Sequence, residues 1–268
     1  MRLLVLDFDG VICDSAEECF VSSWTAYHAL YRRQPGGEAP AAARTAFRAM
    51  RPFVRSGEDF VLIQRLIAGG SSVLSQPEFD RAWERPGTPS RDRFKELFYQ
   101  ARTDLLEKDR RAWLSLNRIY PHVSEALSGL SPAVPLYILS TKKPQFVGET
   151  LAANGITVPT AHLLYSQGEP KLSTVERLRE TLGCGEAIFV EDQIDAILGN
   201  TNPRIRVYLA SWGYVQESWL RESAGIPILS PQDFVKLVAA ETAESLSGTE
   251  GGALPVERTT HQGSHGDV

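Results

Sequence analysis

A short apolar run near the start of the chain, residues 3–6 (Leu-Leu-Val-Leu), constrains the fold more than any other feature of the sequence. A continuous apolar run without polar alternation is typical of a strand that is buried on both faces of a parallel sheet. Similar runs recur later in the chain, with helical patterns between them, at residues 136–139, 163–165, 188–190 and 207–210. Strands that alternate with helices predict an α/β fold with a parallel sheet.

The stretch between the first and second apolar runs has a different character. From about Ser15 to Asn117 no strand pattern occurs, and the apolar residues follow helical spacing instead. We therefore predict a helical cap, residues 16–118, that is inserted into an α/β core formed by residues 1–15 and 119–243. The Gly/Ser/Thr-rich remainder, residues 244–268, is predicted to be a disordered tail because it has too few apolar residues to offset the entropy of ordering.

Composition and charge argue against several kinds of protein. The 268 residues carry a formal net charge of −5 and no basic stripe, which argues against a nucleic-acid partner. No stretch approaches the ~20 apolar residues of a membrane span, and the run before Asp7 is too short for a signal peptide. Cys13, Cys19 and Cys184 form no CxxC pair, which favours buried free thiols in a reducing compartment. We expect a cytoplasmic protein that does not bind membranes.

The first apolar run ends in two carboxylates one residue apart, Asp7 and Asp9, followed by Gly10. In open α/β sheets, ligand sites form at the carboxyl ends of the strands. Gly10 permits the turn that would let both carboxylates converge on one site. A surface turn rich in Asp and Gly is the alternative interpretation.

The second and third runs are followed by hydroxyl and amine groups. Ser140 and Thr141 come directly after the second run, where a hydroxyl and backbone N–H groups can donate to a phosphate oxygen. Ser140 also suits a helix N-cap. Lys171 follows the third run, and its place in the series favours it over Lys142 and Lys143 as the lysine of the site. An isolated lysine is otherwise most often a solvated surface residue.

Three carboxylates follow the fourth run within five residues: Glu191, Asp192 and Asp195. Magnesium typically takes one or two protein carboxylates, together with waters and phosphate oxygens. Acidic residues also suit a helix start because they complement the helix dipole, but this explains one such residue more easily than three. The pattern therefore predicts a magnesium site and leaves open whether Glu191 or Asp192 faces the metal.

These four stretches, in this order, resemble the four motifs of the haloacid dehalogenase superfamily. The first motif is matched by Asp7-x-Asp9-Gly10, the second by Ser140, the third by Lys171, and the fourth by Glu191-Asp192 with Asp195. The resemblance covers about residues 1–15 and 119–240 and implies a Rossmann-like core. The helical insertion is similar to the caps of phosphoglycolate-phosphatase-like and β-phosphoglucomutase-like members. Many members have Gly-Asp in the fourth motif, so Glu191 is a departure from the pattern.

The resemblance implies phosphoryl transfer through an aspartyl phosphate. Asp7 would be the nucleophile, and Asp9 would protonate the leaving alcohol and then deprotonate water. Ser140, Lys171 and Mg²⁺ would neutralise charge on the phosphoryl oxygens. The implied substrate-binding residues on the core are Gly10, Ser140 and Thr141, and the implied metal ligands are Asp7, Asp9 through its backbone carbonyl, Glu191, Asp192 and Asp195.

The function that follows is a magnesium-dependent phosphatase that acts on a small phosphorylated metabolite. Dehalogenating members lack an acid at the position of Asp9, so its presence favours phosphorus chemistry. A loop of the cap carries Arg51 and Arg55, which would suit an anionic substrate; solvated loop charges are the alternative. A phosphomutase needs the same motifs. A non-catalytic α/β binding module is the remaining alternative, and the intact pair of Asp7 and Asp9 argues against it.

Overall fold

The structure, a computed structural model, describes residues 2–32, 38–166 and 168–247. Its strands are β1 (Arg2–Leu6), β2 (Cys13–Asp14), β3 (Arg118–Ile119), β4 (Leu136–Ser140), β5 (Leu163–Tyr165), β6 (Glu186–Glu191), β7 (Ile205–Ala210) and β8 (Ile228–Leu229). Six of them form a parallel sheet in the order β5-β4-β1-β6-β7-β8. Strands β2 and β3 form a separate antiparallel ribbon.

Helices connect these strands and cover the sheet. They are α1 (Ala16–Tyr27), α2 (Ala41–Met50), α3 (Gly57–Ala68), α4 (Gln76–Ala82), α5 (Arg91–Lys108), α6 (Arg110–Ser115), α7 (Pro121–Ser128), α8 (Pro144–Ala153), α9 (Lys171–Thr181), α10 (Glu217–Arg221) and α11 (Pro231–Ser247). A π-helical turn, His28–Arg32, extends α1.

Successive side chains of β1 point to opposite faces of the sheet and are buried on both. Leu4 and Leu6 belong to one apolar cluster, and Leu3 and Val5 to the other. None of the four is more than 1 % exposed. Helices α7, α8 and α11 pack on the first face, and α9 and α10 on the second. The predicted α/β fold is confirmed, since all five apolar runs are strands of this sheet.

Helices α1 to α6 form the inserted helical cap. It has an apolar cluster of its own, built around Phe20, Phe47, Phe60 and Phe98, each at most 5 % exposed. The ring of Phe47 lies 5.3 Å from that of Phe20 and 5.9 Å from that of Phe60, measured between centroids. Phe146, on α8 of the core, belongs to the same cluster. The cap therefore packs directly on the core.

The antiparallel ribbon lies where the chain passes between core and cap. Cys13 pairs with Ile119, and Asp14 pairs with Arg118. The backbone N–H of Tyr120 also donates to the carbonyl of Ile12 at 3.0 Å. The two connecting segments therefore run side by side at the ends of the insertion that the sequence predicts.

The last helix extends further than predicted. Because α11 runs to Ser247, residues 244–247 of the predicted disordered tail are helical, and the prediction is wrong for them. Arg2 donates to the carboxylates of Glu241 and Glu244, which holds the final turns of α11 against the start of β1. The remainder of the predicted tail, 248–268, lies outside the described residues.

Two predictions from composition can be compared with the structure. In the ranges that the structure describes, no helix combines the length and the apolar character needed to cross a bilayer. Cys13, Cys19 and Cys184 are buried free thiols, as their spacing predicted.

Candidate active site

Asp7 and Lys171 meet at the carboxyl edge of the sheet. Asp7 follows β1, Glu191 ends β6, and Lys171 begins α9. The Nζ of Lys171 donates to Oδ1 of Asp7 and to Oε2 of Glu191, each at 2.7 Å. None of the three side chains is more than 10 % exposed. One ammonium group thus lies between carboxylates of two neighbouring strands, and the structure brings together three residues that the sequence singled out.

Asp192 is held in place by two glycines and a backbone amide. Gly10 has φ of +95°, and a Cβ there would lie 1.9 Å from Oδ2 of Asp192. A Cβ at Gly213 would lie 2.4 Å from the Cβ of Asp192. The backbone N–H of Tyr214 donates to Oδ2 of Asp192 at 2.7 Å. Gly10 makes the predicted turn, and its lack of a side chain leaves room for the Asp192 carboxylate.

Asp7, Glu191 and Asp192 form a cluster of three carboxylates, in which one oxygen from each side chain lies within 4.8 Å of the other two. Glu191 uses both of its oxygens within the protein. Oε1 accepts the N–H groups of Asp192 and Gln193 at 3.1 and 3.0 Å, and Oε2 accepts from Lys171. Within the described residues, no hydrogen bond reaches Oδ2 of Asp7 or Oδ1 of Asp192. Asp7 and Asp192 therefore each keep one oxygen for a cation.

Burial and mutual repulsion raise the pKa values of these three carboxylates. Burial and the charge of Glu191 raise the pKa of Asp7 to about 7, in spite of the bond to Lys171. Burial and the charge of Asp7 raise the pKa of Asp192 to about 6. The pKa of Glu191 is also raised, chiefly by burial. Since one lysine does not balance three buried carboxylates, this set of oxygen donors fits a hard divalent cation.

Asp9 is bonded to a second lysine. Its Oδ1 accepts hydrogen bonds from Nζ of Lys142, at 2.9 Å, and from Oγ of Ser15. Burial alone would raise the pKa of Asp9, but the positive charges of Lys142, Arg51 and Arg102 lower it to about 2. Asp9 is therefore a carboxylate ion in this structure, and the two aspartates of the first motif have opposite pKa shifts.

Ser140 and Thr141 stand at the end of β4. Ser140 is buried, and its Oγ accepts the backbone N–H of Lys142 at 3.1 Å. Its O–H has no acceptor among the described residues and is thus available to a ligand. Thr141 lines the cleft, and its carbonyl accepts the hydroxyl of Tyr99 from the cap at 3.1 Å. Both residues lie at the carboxyl end of β4, and their binding of phosphate stays a prediction.

The two arginines of the predicted substrate loop differ in their contacts. Arg51 is 5 % exposed, and its guanidinium carbon lies 4.0 Å from the ring centroid of Tyr214 and 5.1 Å from that of Phe60. Its guanidinium has no hydrogen bond or ion pair in the described part of the chain, and Nε is buried without a hydrogen-bond partner. Arg55, by contrast, donates to Oδ2 of Asp195 through Nε at 3.1 Å.

Asp195 is not part of the cluster of three carboxylates that Asp7, Glu191 and Asp192 form. A 3₁₀ turn, Ile194–Ala196, follows β6 and carries it toward the cap, where its side chain is 49 % exposed and paired with Arg55. The neighbouring Gln193 accepts a hydrogen bond from the same guanidinium. The structure thus gives Asp195 a contact between core and cap in place of the metal contact that the sequence predicted.

Of the four catalytic candidates, Asp7, Asp9 and Lys171 line one cleft of about 250 Å³ together with the cap loop, whereas Ser140 is not among its lining residues. The core contributes the polar floor, including Asp7, Asp9 and Lys171. The cap contributes Arg51 together with an apolar and aromatic wall that includes Phe60 and Phe98. The cleft therefore has charged groups on both sides and an apolar wall on the cap side.

The sequence reasoning missed three residues of this site. The sequence favours Lys171 over Lys142, although the position of Lys142 two residues after Ser140, at a strand end, could have indicated it. Arg102 of α5 and Tyr214, which follows β7, were not identified. Only the end of β7, at the same sheet edge, offered a signal for Tyr214, and no signal marked Arg102 within its helix.

The fold and the site define a class of protein: a parallel α/β core with carboxylates at its strand ends and an inserted helical cap beside them. The model of the haloacid dehalogenase-like hydrolase family matches residues 1–199, and the chain belongs to that family. The resemblance in the sequence is thereby confirmed. No curated protein matches the sequence.

Several solved structures of low sequence identity share the fold. A predicted phosphoglycolate phosphatase from Haemophilus somnus 129PT is 18 % identical with a TM-score of 0.59, over 90 % of this chain and 97 % of that one. A putative phosphoglycolate phosphatase from Lactobacillus delbrueckii subsp. bulgaricus is 14 % identical with a TM-score of 0.55, over 90 % and 98 %. A HAD family hydrolase from Deinococcus radiodurans R1, with bound phosphate and sodium, is 18 % identical with a TM-score of 0.52, over 91 % and 96 %.

Proposed function

We propose that this protein is a magnesium-dependent phosphatase that hydrolyses a small phosphate monoester through an aspartyl phosphate on Asp7. The observation that carries the proposal is the setting of Asp7, a buried carboxylate at a strand end with Lys171 at 2.7 Å and Asp192 close enough to share a cation. Membership of a hydrolase family supports the reaction class. Two fold relatives bear phosphatase names and a third contains phosphate, which supports phosphorus chemistry.

Asp7 and Asp192 are the proposed side-chain ligands of magnesium, together with the backbone carbonyl of Asp9. Each aspartate keeps a carboxylate oxygen that no other described residue hydrogen-bonds, whereas Glu191 uses both of its oxygens. We therefore assign Glu191 to holding Lys171. Magnesium at this site would supply positive charge beside the phosphoryl oxygens.

The two aspartates of the first motif divide the chemistry. Asp7 attacks phosphorus while the bond to the leaving oxygen breaks, and Lys171 and Ser140 stabilise charge on the phosphoryl oxygens. Asp9 gives a proton to the leaving oxygen. It then takes a proton from water, which attacks the aspartyl phosphate and regenerates Asp7.

Asp9 must carry a proton in the first of these steps, although its pKa is about 2 before substrate binds. The three charges that lower this pKa, those of Lys142, Arg51 and Arg102, all line the cleft. An anionic substrate in the cleft would offset these charges and raise the pKa of Asp9 toward the protonated form. Substrate binding and protonation of Asp9 are therefore coupled.

Arg51 is the proposed contact for an anionic group on the leaving part of the substrate. A buried guanidinium without a hydrogen bond or ion pair is destabilising unless a ligand supplies the missing acceptor. Arg55 is already engaged by Asp195, so that of the two predicted arginines Arg51 is the one available to a ligand. The apolar wall of the cap beside it would accommodate the uncharged part of the same leaving group.

A screen for phosphate release tests the proposal. Purified protein is incubated with a panel of phosphate monoesters, with magnesium or with a chelator, and inorganic phosphate is measured. Release that depends on magnesium is expected. Acid quenching during turnover, followed by borohydride reduction and peptide mass spectrometry, should convert Asp7 to homoserine. Conversion of a sugar phosphate into its isomer without phosphate release would instead indicate a phosphomutase, and the absence of any product a binding module.

A further inference from the structure

The carboxylate of Asp9 is held asymmetrically. Both of its described hydrogen bonds, from Lys142 and Ser15, end on Oδ1. In the part of the chain that the structure describes, none ends on Oδ2, and Asp9 lines the cleft with 14 % of its side chain exposed. One oxygen is thus fixed from behind while the other is left for proton transfer to a group in the cleft.

Lys142 is held by two hydrogen bonds and one ion pair. Its Nζ donates to Oδ1 of Asp9 at 2.9 Å and to Oδ1 of Asn117 at 3.3 Å, and it forms an ion pair with Oε2 of Glu18 at 3.6 Å. The side chain is only 1 % exposed. These three oxygens lie around one ammonium group and together define its position.

Glu18 is itself fixed by a buried ion pair of the cap. Arg102 donates to it through two nitrogens, Nε at 2.9 Å and Nη2 at 2.7 Å, and the hydroxyl of Ser22 donates at 2.8 Å. Neither Glu18 nor Arg102 is more than 2 % exposed. A bidentate pair of this kind has little freedom to rotate. The cap therefore presents a rigid carboxylate to the ammonium group of Lys142.

The stability of the fold does not by itself explain why Asp9, Lys142, Glu18 and Arg102 form a network of charged side chains. Lys142, Glu18 and Arg102 are removed from water, and well-packed apolar residues often stabilise a protein as much as a buried ionic network does. The network does, however, join the cap to the residue of the core that must face the cleft. The position of the network, between the cap and Asp9, therefore suggests a role other than stabilising the fold.

We propose that Lys142 is a positioning residue, which holds Oδ1 of Asp9 so that Oδ2 faces the substrate, and that the cap pair Glu18–Arg102 holds Lys142 in turn. The proposal rests on the proposed phosphatase reaction, in which Asp9 is the acid and base. In this role Lys142 acts on the substrate only through Asp9, although it is among the residues that line the cleft. The cap thereby takes part in the chemistry of the core as well as in substrate selection.

Two esters that differ in their need for an acid test this role. 4-Nitrophenyl phosphate has a leaving group that departs without a proton, whereas a simple alkyl phosphate requires one. With Lys142→Met, kcat for the alkyl ester should fall about 100-fold, the lower end of what acid–base catalysis contributes, with KM little changed. On rapid mixing with 4-nitrophenyl phosphate, the variant should give a burst of about one equivalent of nitrophenolate and then turn over slowly. Asp9→Asn should show the same pattern more strongly.

Lys143→Met is the matched control, because Lys143 lies 4.4 Å from the ring of Tyr99 and outside the residues that line the cleft. It should behave as wild type. If Lys142→Met does not fold, the double variant Glu18→Gln/Lys142→Met, which removes one charge of each sign, should show the same burst. Equal losses on both esters without a burst would assign Lys142 a merely structural role, and wild-type rates on both would exclude any role. A wild-type protein that hydrolyses neither ester would overturn the proposed function itself.

Discussion

The core side and the cap side of the cleft handle charge in opposite ways. On the core side, Asp7 and Asp9 each have a lysine partner within 2.9 Å, and the backbone fixes Asp192 as well. On the cap side, Arg51 is also buried, but its guanidinium has no hydrogen bond or ion pair among the described residues. The core site is therefore organised before substrate arrives, whereas the cap side leaves one charge for the substrate to balance.

This difference separates two kinds of experiment. Changes at Asp7, Lys171 or Asp192 should reduce the rate for every phosphate ester, because they remove groups that act on the phosphoryl group itself. Changes at Arg51 should distinguish between substrates, because only some leaving groups reach the cap. An Arg51 variant that affects all esters equally, or a variant of Asp7, Lys171 or Asp192 that affects only some, would erase the distinction.

The largest effect is expected for Asp7→Asn. Turnover should fall by roughly 10⁴-fold or more, the scale seen when other enzymes lose their nucleophile. The fold should remain intact, since a neutral amide relieves the repulsion from Glu191 that raises the pKa of Asp7. Phosphate release and thermal unfolding are measured on the same preparation. Retained hydrolysis, once contaminating phosphatase and deamidation are controlled for, would remove Asp7 from its assigned role.

Magnesium removal should be nearly as severe. A chelator should abolish activity, and magnesium should restore it. Asp192→Ala should weaken the apparent magnesium affinity by more than the roughly 10–100-fold typical of residues that only orient a ligand. Glu191→Ala should change magnesium affinity less and lower kcat through the loss of a partner for Lys171. Titration of activity with magnesium measures both, and full activity in chelator would refute the metal assignment.

Arg51→Ala should weaken the use of an anionic native substrate by about 1–3 kcal/mol, as expected for one lost charge-assisted hydrogen bond. A small generic ester that does not reach the cap should be used almost as before. The ratio of kcat/KM for the two substrates, compared between wild type and variant, is the measurement. Equal losses on both would give Arg51 a structural or catalytic role in place of a selective one.

The smallest effect is expected where cap and core meet at the surface. Arg55 and Asp195 are 30 % and 49 % exposed, and exposed ion pairs contribute only about 0.2–1 kcal/mol. Asp195→Asn should therefore lower kcat/KM a few-fold at most, by a similar factor for all esters, and less at high salt. Magnesium titration provides the decisive contrast, since a large rise in the magnesium requirement would restore Asp195 as a metal ligand.

The sheet was predicted well from the sequence, because strands that are buried on both faces consist of continuous apolar residues. Strands β1, β4, β5, β6 and β7 are apolar runs, and side chains on both faces are buried. Strands β2, β3 and β8 were missed, since two residues are too few to form a pattern. The helical pattern of the cap was clear, but the extension of α11 depends on Arg2, which lies at the other end of the chain.

The side chains of the site were harder to assign, because long side chains and loop paths decide their partners. The ends of the strands marked Asp7, Asp9 and the carboxylates after β6 correctly as neighbours of the cleft. Which lysine reaches which carboxylate depends on how α9 and the turn after β4 pack, and the sequence does not record this. The sequence also does not show the position of Asp195, because a single 3₁₀ turn places it outside the cluster of Asp7, Glu191 and Asp192.

The central position of β1 in the sheet affects the order in which the chain can fold while it is being synthesised. This strand leaves the ribosome before its two neighbours, β4 and β6, which begin only at Leu136 and Glu186. Helices α1 to α6 end at Ser115, so they also emerge before β4. Domains generally fold as units during synthesis. We therefore expect the nascent protein to carry cap helices beside an apolar strand with both edges open, which is a target for chaperones and for aggregation.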